Sequence, residues 1–261
     1  MFLKGKTALI TGSTSGIGAA CATALAAEGA AIMINGFGDK DAIAAQCAAL
    51  SALSGAAAVH DGADLSDIAQ TQAMADRCTA ELGGADILMN NAGIQYVCPV
   101  DEFPPEKWRA MMAIMVDSPF ILTRALLPGM KQKGWGRIMA TVSAHGSVAS
   151  PNKSAYIAAK HGLLGLMRAV AVEVAQQGIT ANAISPGYVW TPLVENQIPD
   201  TMRTRNMTRD QVINDVLLAA IPQRKFVMPE QVAAMVTFLC REEASAVTGA
   251  NLAVDGGWTT H

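Results

Sequence analysis

The sequence predicts an α/β fold, with a single doubly wound domain built on a parallel sheet. Short apolar segments alternate with helical patterns along all 261 residues, and nearly continuous apolar strands are typical of parallel sheets that are covered on both faces. No linker rich in Pro, Gly or Ser interrupts the alternation, so one domain is predicted over residues 1–261. Hydrophobic residues make up 51% of the chain and charged residues only 16%, which is enough apolar material for a large core.

Six apolar segments are predicted to be strands. In chain order they are TALIT (7–11), AAIMIN (30–35), ADILMNN (85–91), GRIMATVS (136–143), ITANAIS (179–185) and NLAVDG (251–256). Helical patterns lie between them, for example at 16–29 and 154–178. Each of these two patterns ends on a glycine, which suits a helix C-terminus.

One segment breaks the alternation. Residues 188–228 are more polar than their surroundings and separate the last two predicted strands. An insertion that follows a strand end is a candidate lid over a binding site. We therefore predict a helical substrate lid here, with a solvated surface excursion as the alternative.

Charge, cysteine content and hydropathy narrow the classes of function. The net charge of −3 and the lack of a basic run argue against a nucleic-acid partner. The five cysteines are odd in number and form no Cys-x2-Cys pair, so neither a disulfide framework nor a metal site is predicted. We find no signal-like apolar region and no uninterrupted apolar stretch long enough to cross a membrane, which predicts a soluble cytoplasmic protein without a membrane partner.

A glycine motif follows the first strand and opens the first helix. Gly12, Gly16 and Gly18 in ITGSTSGIG allow a tight turn and a close backbone approach to a pyrophosphate at the helix N-terminus. The motif lies at the strand–helix junction, where such binding requires it. We therefore predict a dinucleotide site rather than a plain turn.

Residues 143–160 include Ser143, a histidine, a tyrosine and two lysines. Ser143 and His145 face the same way if the strand continues, and Tyr156 and Lys160 share a helix face at i and i+4. The two pairs are therefore predicted to converge on one pocket. A hydrolase needs its serine on a sharp strand-to-helix elbow, usually Gly-x-Ser-x-Gly. This segment lacks that pattern, which disfavours a hydrolase.

Several motifs follow one another along the chain. They are the Gly-x3-Gly-x-Gly spacing, NNAG at 90–93, Ser143, Tyr156-x3-Lys160, PG at 186–187 and DGGW at 255–258. Together they resemble the short-chain dehydrogenase/reductase family over the whole chain. The resemblance implies a Rossmann fold, a nicotinamide cofactor and a homotetramer. The cofactor-binding residues that it implies are Gly12, Thr14, Ser15, Gly16, Ile17, Gly18, Phe37, Asp64, Leu65, Asn91, Ala92, Gly93, Tyr156, Lys160, Pro186, Gly187, Val189 and Thr191.

The end of the second strand favours NAD over NADP. INGFGDK (34–40) has no acidic residue at the strand tip to pair the ribose hydroxyls and no arginine for a 2′-phosphate. Lys40 is the nearest cation and lies farther along. A phosphate without a cation is costly, so NAD is the predicted cofactor.

The resemblance also assigns catalytic roles. Tyr156 is the acid–base residue, Ser143 hydrogen-bonds the same substrate oxygen, and Lys160 holds the nicotinamide ribose. A free tyrosine has a pKa of about 10. The Lys160 ammonium and the positive nicotinamide are expected to lower the pKa of Tyr156.

Six polar residues are predicted to surround a small anionic substrate. They are Gln95, Ser143, His145, Lys153, Tyr156 and Gln197. Lys153 supplies the charge, and the amides and imidazole supply donors. The segments around them resemble the D-3-hydroxybutyrate dehydrogenase branch of the family, in which the corresponding residues bind the carboxylate of a hydroxy or keto acid. Trp190 and Trp258 are expected to close the apolar side around a short chain.

The chain departs from the family pattern at two positions. Tyr96 stands where the branch has a histidine, and Met115 stands where the family has an asparagine that orders a water in a proton relay. These departures leave two alternatives open. One is a dehydrogenase of another small hydroxy acid or a polyol, and the other is a nucleotide-binding protein with weak catalysis.

Overall fold

Seven parallel strands form one sheet in the order β3-β2-β1-β4-β5-β6-β7. The computed structural model describes residues 1–260, except for the side chains at positions 193, 200 and 204; residue 261 of the predicted domain lies outside the described residues. The strands are β1 (Thr7–Ile10), β2 (Ala31–Asn35), β3 (Ala58–Asp61), β4 (Ile87–Asn90), β5 (Gly136–Thr141), β6 (Ile179–Pro186) and β7 (Asn251–Val254). Strand order reverses between β1 and β4, and in such sheets ligands bind at that switch point. The predicted α/β Rossmann fold is confirmed.

Helices cover both faces of the sheet. They are α1 (Gly16–Ala27), α2 (Lys40–Ser54), α3 (Ile68–Leu82), α4 (Pro105–Met112), α5 (Ser118–Lys133), α6 (Ser154–Val174), α7 (Pro192–Glu195), α8 (Ile198–Arg205), α9 (Arg209–Gln211) and α10 (Pro229–Leu239). Consecutive strand residues point to opposite faces. Thus Leu9 packs with the core beneath α3, α5 and α6, whereas Ile10 packs with the core beneath α1 and α10.

The sequence reading missed β3 (Ala58–Asp61) because this strand lies at the sheet edge and all four of its residues are only half-buried. Two predicted ends also move. The strand β5 stops at Thr141, before Ser143, and α6 stops at Val174, before Gly178. Gly178 instead has a positive φ of 70° in the turn into β6, where a Cβ atom would collide with the carbonyl oxygen of Gly134. A glycine is required there by close backbone packing, not by a helix end.

A continuous helical run covers residues 105–133, with a π-helical turn, Ala113–Asp117, between α4 and α5. By length and composition alone, an 18-residue window of this run is apolar enough to cross a membrane, with a mean hydropathy of 1.5. The run is not uninterrupted, because Asp117 and Arg124 lie within it. Leu122, Leu126 and Met130 of the run lie in the core beside α3, as in a core helix of a globular domain.

The segment 188–228 is helical and has a small core of its own. Val194, Ile198, Val212 and Leu217 form a buried cluster separate from the two layers on the sheet. A single parallel bridge between Val189 and Val227 joins the two ends of the segment. It is therefore a folded excursion rather than a solvated loop.

Candidate active site

A cleft of about 440 Å³ opens at the carboxyl ends of the central strands; we call it the cofactor cleft. Twelve of the predicted cofactor residues line it. They are Gly12, Thr14, Ser15, Gly16, Ile17, Phe37, Asp64, Leu65, Asn91, Ala92, Gly93 and Thr191. The cleft lies at the switch point of the sheet, as expected for a dinucleotide site.

The glycine motif packs tightly against NNAG. Gly12 has a φ of 59°, and a Cβ atom there would lie 2.9 Å from the Cα of Ala92. A Cβ atom at Gly18 would lie 2.7 Å from Nδ2 of Asn91 and would collide with the Gly12 carbonyl. The loop backbone thus reaches the cleft because no side chain stands in between.

The remaining predicted cofactor residues lie elsewhere. Gly18 is buried inside α1 and Pro186 inside β6, while Lys160 lies under Gly93. Tyr156, Gly187 and Val189 line a neighbouring cavity. The cleft also includes residues that the sequence reading missed, namely Asn35, Gly36, Ala63, Ile94, Ile114 and Pro192.

Asn35 shows why part of the cleft was missed. Its side-chain amide donates to the carbonyls of Asp61 and Ala63, which ties the end of β2 to the loop after β3. The contact between Asn35 and this loop could have been predicted only if β3 had been recognised in the sequence.

The described lining of the cofactor cleft offers no cation for a phosphate. No Lys or Arg appears among the described residues that line the cleft, and Lys40 lines a separate cavity beside it. Asp64 accepts hydrogen bonds from the backbone and hydroxyl of Ser66, at 2.9 and 2.8 Å. The helix α3 is capped by Asp67 instead, so Asp64 is not a helix cap.

A cavity of about 140 Å³ adjoins the cofactor cleft; we call it the substrate cavity. Ile17 and Thr191 line both spaces. All six residues predicted for substrate binding line the cavity, namely Gln95, Ser143, His145, Lys153, Tyr156 and Gln197. Together with Ile17 and Trp258, they bring five separate chain segments around one small space.

Ser143 and His145 converge by a route that the sequence reading did not foresee. The chain does not stay extended after β5 but turns into a short 3₁₀ helix, Ala144–Gly146. The Ser143 hydroxyl accepts from the His145 backbone N–H at 3.1 Å and so caps this turn. The prediction of convergence holds, but the reason given for it was wrong.

The imidazole of His145 lies deep in the wall of the cavity. It packs edge-on against Trp258 and Tyr156, with ring centroids 5.1 and 6.0 Å away. Its Nε2 atom is 2.9 Å from the Ser150 hydroxyl. Burial, and then the nearby Lys153 charge, lower the pKa of His145 to about 4, so the imidazole is neutral near pH 7.

Tyr156 and Lys160 share one face of α6, as predicted. The Lys160 ammonium lies 5.5 Å from the centroid of the Tyr156 ring and donates to the Thr141 carbonyl at 2.7 Å. Burial lowers the pKa of Lys160 to about 8. Burial also raises the pKa of Tyr156, and a hydrogen bond with Ser143 only partly opposes this. Lys160 was expected to lower the pKa of Tyr156, but it is not among the protein groups that shift this pKa.

Lys153 supplies positive charge to the substrate cavity. Burial lowers the pKa of its ammonium, which lies 5.7 Å from the centroid of the Tyr188 ring. Lys153 is half-buried and has no carboxylate partner among the described residues, and such a cation favours an anionic ligand, because the ligand would restore the interactions lost with water.

Aromatic rings close the other side of the cavity. Tyr188 stacks on Trp258 with centroids 5.3 Å apart and an interplanar angle of 10°. Trp190 instead packs against Phe226 at 4.8 Å, outside the described lining of the cavity. Of the two tryptophans expected beside the substrate, Trp258 lines the cavity and Trp190 does not. Tyr188 was missed, although it directly follows the PG motif.

Comparison with known proteins identifies the family. A family model described as enoyl-(acyl carrier protein) reductase matches residues 12–259. The chain is 52% identical over 258 residues to a D-beta-hydroxybutyrate dehydrogenase of Rhizobium meliloti (strain 1021), covering 97% of this chain and 98% of that one. The chain belongs to the short-chain dehydrogenase/reductase family.

Two further relatives agree with this assignment. A D-beta-hydroxybutyrate dehydrogenase of Cupriavidus necator is 50% identical over 256 residues, covering 98% of each chain. Among solved structures, L-sorbose reductase from Gluconobacter frateurii, complexed with NADPH and L-sorbose, matches with a TM-score of 0.93 at 30% identity and full coverage of both chains.

Met115 departs from the family pattern inside the site itself. It lies in the π-helical turn 113–117 and is fully buried. A Cβ atom at Gly93 would lie 3.4 Å from its sulfur and 3.7 Å from Nζ of Lys160. The thioether and the ammonium thus both lie close to Gly93, and a thioether donates no hydrogen bond and accepts only weakly.

Proposed function

We propose that the protein is an NAD-dependent oxidoreductase that interconverts D-3-hydroxybutyrate and acetoacetate. The observation that carries the proposal is the meeting of all six predicted substrate residues in one cavity beside the cofactor cleft. The names of the two relatives at about half identity support the same substrate. Residues 1–261 act as one domain in this proposal.

The cofactor is a nicotinamide dinucleotide, and we propose NAD. The described lining of the cofactor cleft offers hydroxyls and backbone groups but no lysine or arginine for a 2′-phosphate. Two related proteins were solved with NADPH, so the choice needs a measurement. The ratio of kcat/KM values for NAD and NADP tests it, and a preference for NADP would contradict the proposal.

The proposed chemistry centres on Tyr156. A bound nicotinamide would supply the hydride acceptor for oxidation of the carbinol carbon and the hydride donor for reduction of the carbonyl carbon. The phenolic oxygen of Tyr156 takes up the hydroxyl proton in oxidation and gives it back in reduction. Ser143, which hydrogen-bonds Tyr156, holds the same substrate oxygen. The Lys160 ammonium lies 5.5 Å from the centroid of the ring, and we propose that together with the positive nicotinamide it supports the phenolate against the effect of burial.

The proposed carboxylate site lies opposite the reacting oxygen. Lys153 supplies the positive charge, and neutral His145 and the amides of Gln95 and Gln197 supply hydrogen bonds to the carboxylate. Hydrogen bonds to a charged group are stronger than those between neutral groups. Since the cavity measures only about 140 Å³, it suits a short-chain acid.

The segment 188–228 is proposed to be a lid that carries Gln197 to the substrate. Its separate core allows it to move as a unit relative to the sheet. Hydrogen exchange over this segment, with and without NAD and acetoacetate, tests the proposal. Increased protection with both ligands is expected, and equal protection in the two states would contradict a closing lid.

A soluble cytoplasmic homotetramer is proposed. Phe120 on α5, 50% exposed, lines a groove of about 310 Å³ between α5 and α6, and Val172 on α6 is 81% exposed. Such an apolar face suits contact with another copy of the chain. Light scattering or analytical ultracentrifugation tests the number of subunits, and a monomer would contradict the proposal.

The substrate proposal is tested by following NADH formation. D-3-hydroxybutyrate is expected to be oxidised with a higher kcat/KM than D-threitol, since the polyol offers Lys153 no carboxylate. A related D-threitol dehydrogenase, 36% identical, makes this polyol the sharpest competitor. Oxidation of the polyol but not of the acid would overturn the proposal. Binding of NAD without turnover of either compound would favour the nucleotide-binding alternative.

A further inference from the structure

The ammonium of Lys160 is enclosed on every side. The residue is 3% exposed, and a Cβ atom at Gly93 would lie 3.7 Å from its Nζ and 3.4 Å from the Met115 sulfur. Within residues 1–260, its one hydrogen bond goes to the carbonyl of Thr141, at 2.7 Å. That single carbonyl therefore determines where the ammonium lies relative to Tyr156.

Thr141 is held in turn by its own side chain. Its hydroxyl donates to Oδ1 of Asn91 at 2.9 Å. The amide nitrogen of Asn91 then donates to the carbonyls of Thr11 and Gly12, both at 3.0 Å. A continuous chain of hydrogen bonds thus connects the glycine motif of the cofactor cleft with the lysine beside the catalytic tyrosine.

We propose that Thr141 is a positioning residue for the reaction, whose hydroxyl, through Asn91, fixes the carbonyl that holds the Lys160 ammonium next to Tyr156. This inference rests on the proposed role of Tyr156 as the acid–base residue. In this proposal Thr141 and Asn91 position the lysine, and the buried Met115 side chain donates no hydrogen bond to it.

The physical effect follows from the charges around the lysine. Tyr156, from the same helix, is the titratable group that faces the ammonium, and His145 lies beyond the Tyr156 ring. The end of β5 presents a carbonyl and the turn 113–117 a thioether, while Asp117 is exposed. The pKa of Lys160 is shifted by burial, with no charged neighbour contributing. Loosening the carbonyl therefore weakens the ammonium's support of the Tyr156 phenolate.

The test compares three threonine variants. Thr141→Val removes the hydroxyl and keeps the branched shape of a strand residue, while Thr141→Ser keeps the hydroxyl. Thr123→Val is the matched control, because Thr123 is also buried but its hydroxyl has no hydrogen-bond partner among the described residues. Two readouts are measured against pH: kcat, and the tyrosinate absorbance of the NAD-bound protein with the Tyr156→Phe signal subtracted.

Thr141→Val is expected to lower kcat at pH 7 about five-fold, the size of about 1 kcal/mol. It is also expected to move the ionisation of Tyr156 up by up to about 0.7 pH unit, so that kcat recovers at high pH. Thr141→Ser should behave like the natural protein, and so should Thr123→Val.

Three results would overturn the inference. They are an unchanged Tyr156 ionisation in Thr141→Val, a loss of kcat that is equal at every pH, or a loss in Thr141→Ser as large as in Thr141→Val. If the natural protein does not oxidise 3-hydroxybutyrate, the proposed substrate fails. The tyrosinate titration still decides the role of Thr141 in that case, because it needs no substrate.

Discussion

The cofactor cleft and the substrate cavity adjoin at Ile17 and Thr191, but different kinds of groups line them. The cleft consists largely of backbone and small residues at strand ends, packed so closely that a methyl group at Gly12 or Gly18 would collide with its neighbours. The cavity consists of side chains from five separate segments. One of them, 188–228, has a core of its own.

This difference predicts how each region responds to change. Alterations in the cleft disturb the packing of the sheet, because the glycine loop and NNAG support one another. Alterations in the cavity are expected to change substrate binding or chemistry with little effect on the fold.

Tyr156→Phe is expected to lower kcat by about three orders of magnitude, since loss of a positioned acid–base group costs about 10²- to 10⁴-fold. The ring and its contact with His145 remain, so NAD affinity and thermal stability should change little. Steady-state kinetics and NAD titration measure these quantities. The control is Tyr96→Phe, since Tyr96 is 38% exposed and lies outside the described lining of the cavity. Near-natural activity in Tyr156→Phe would refute the proposed chemistry.

Lys153→Ala is expected to lower kcat/KM for D-3-hydroxybutyrate about 10- to 100-fold through KM, the effect of losing a hydrogen bond to a charged group. NAD affinity should stay unchanged, because Lys153 lines only the substrate cavity. Lys225→Ala provides a control, since Lys225 is an exposed lysine in the same excursion of the chain as Gln197. A KM equal to that of the natural protein would show that the anion does not bind at Lys153.

The stability of the free protein is expected to fall as the pH drops from about 6.5 to 4. The pKa of His145 is lowered from 6.5 to about 4 in the folded state, so in this window the unfolded chain binds the extra proton. Unfolding is then favoured by up to about 3 kcal/mol at the low end. Chemical denaturation across this range should show a smaller slope for His145→Asn. The exposed His161→Asn should keep the natural slope, and an unchanged slope in His145→Asn would contradict the prediction.

Met115→Asn is expected to have the smallest effect, a rise in kcat of about two- to three-fold with little change in KM, worth less than about 1 kcal/mol. Lys160 already has the Thr141 carbonyl as its partner, so a new amide adds little. Steady-state kinetics of the variant measure the gain. An increase approaching about 10³-fold would mean that Met115 severely impairs the natural protein, and the nucleotide-binding alternative would then be favoured.

The sequence by itself determined the features that depend on local spacing. The glycine motif at the end of β1 and the Tyr156–Lys160 pair on α6 are set by the geometry of one turn and one helix, so their positions were predicted correctly. The residues around the substrate cavity are far apart in the chain, from Gln95 to Gln197. Their grouping was predicted from resemblance to a family, because local geometry does not relate such distant positions.

Only the tertiary structure decided the features that depend on contacts between distant segments. The strand β3 forms because β2 offers it an edge, despite its half-buried residues. Tyr188 lines the substrate cavity, where it stacks on Trp258, whereas Trp190 packs against Phe226 outside the described lining. The pKa of Tyr156 is raised because the effect of burial outweighs that of the hydrogen bond with Ser143. The burial of this ring cannot be predicted from a sequence pattern. Such features depend on which apolar surfaces pack against each other and become buried from water, and this is determined only by the packing of the whole chain.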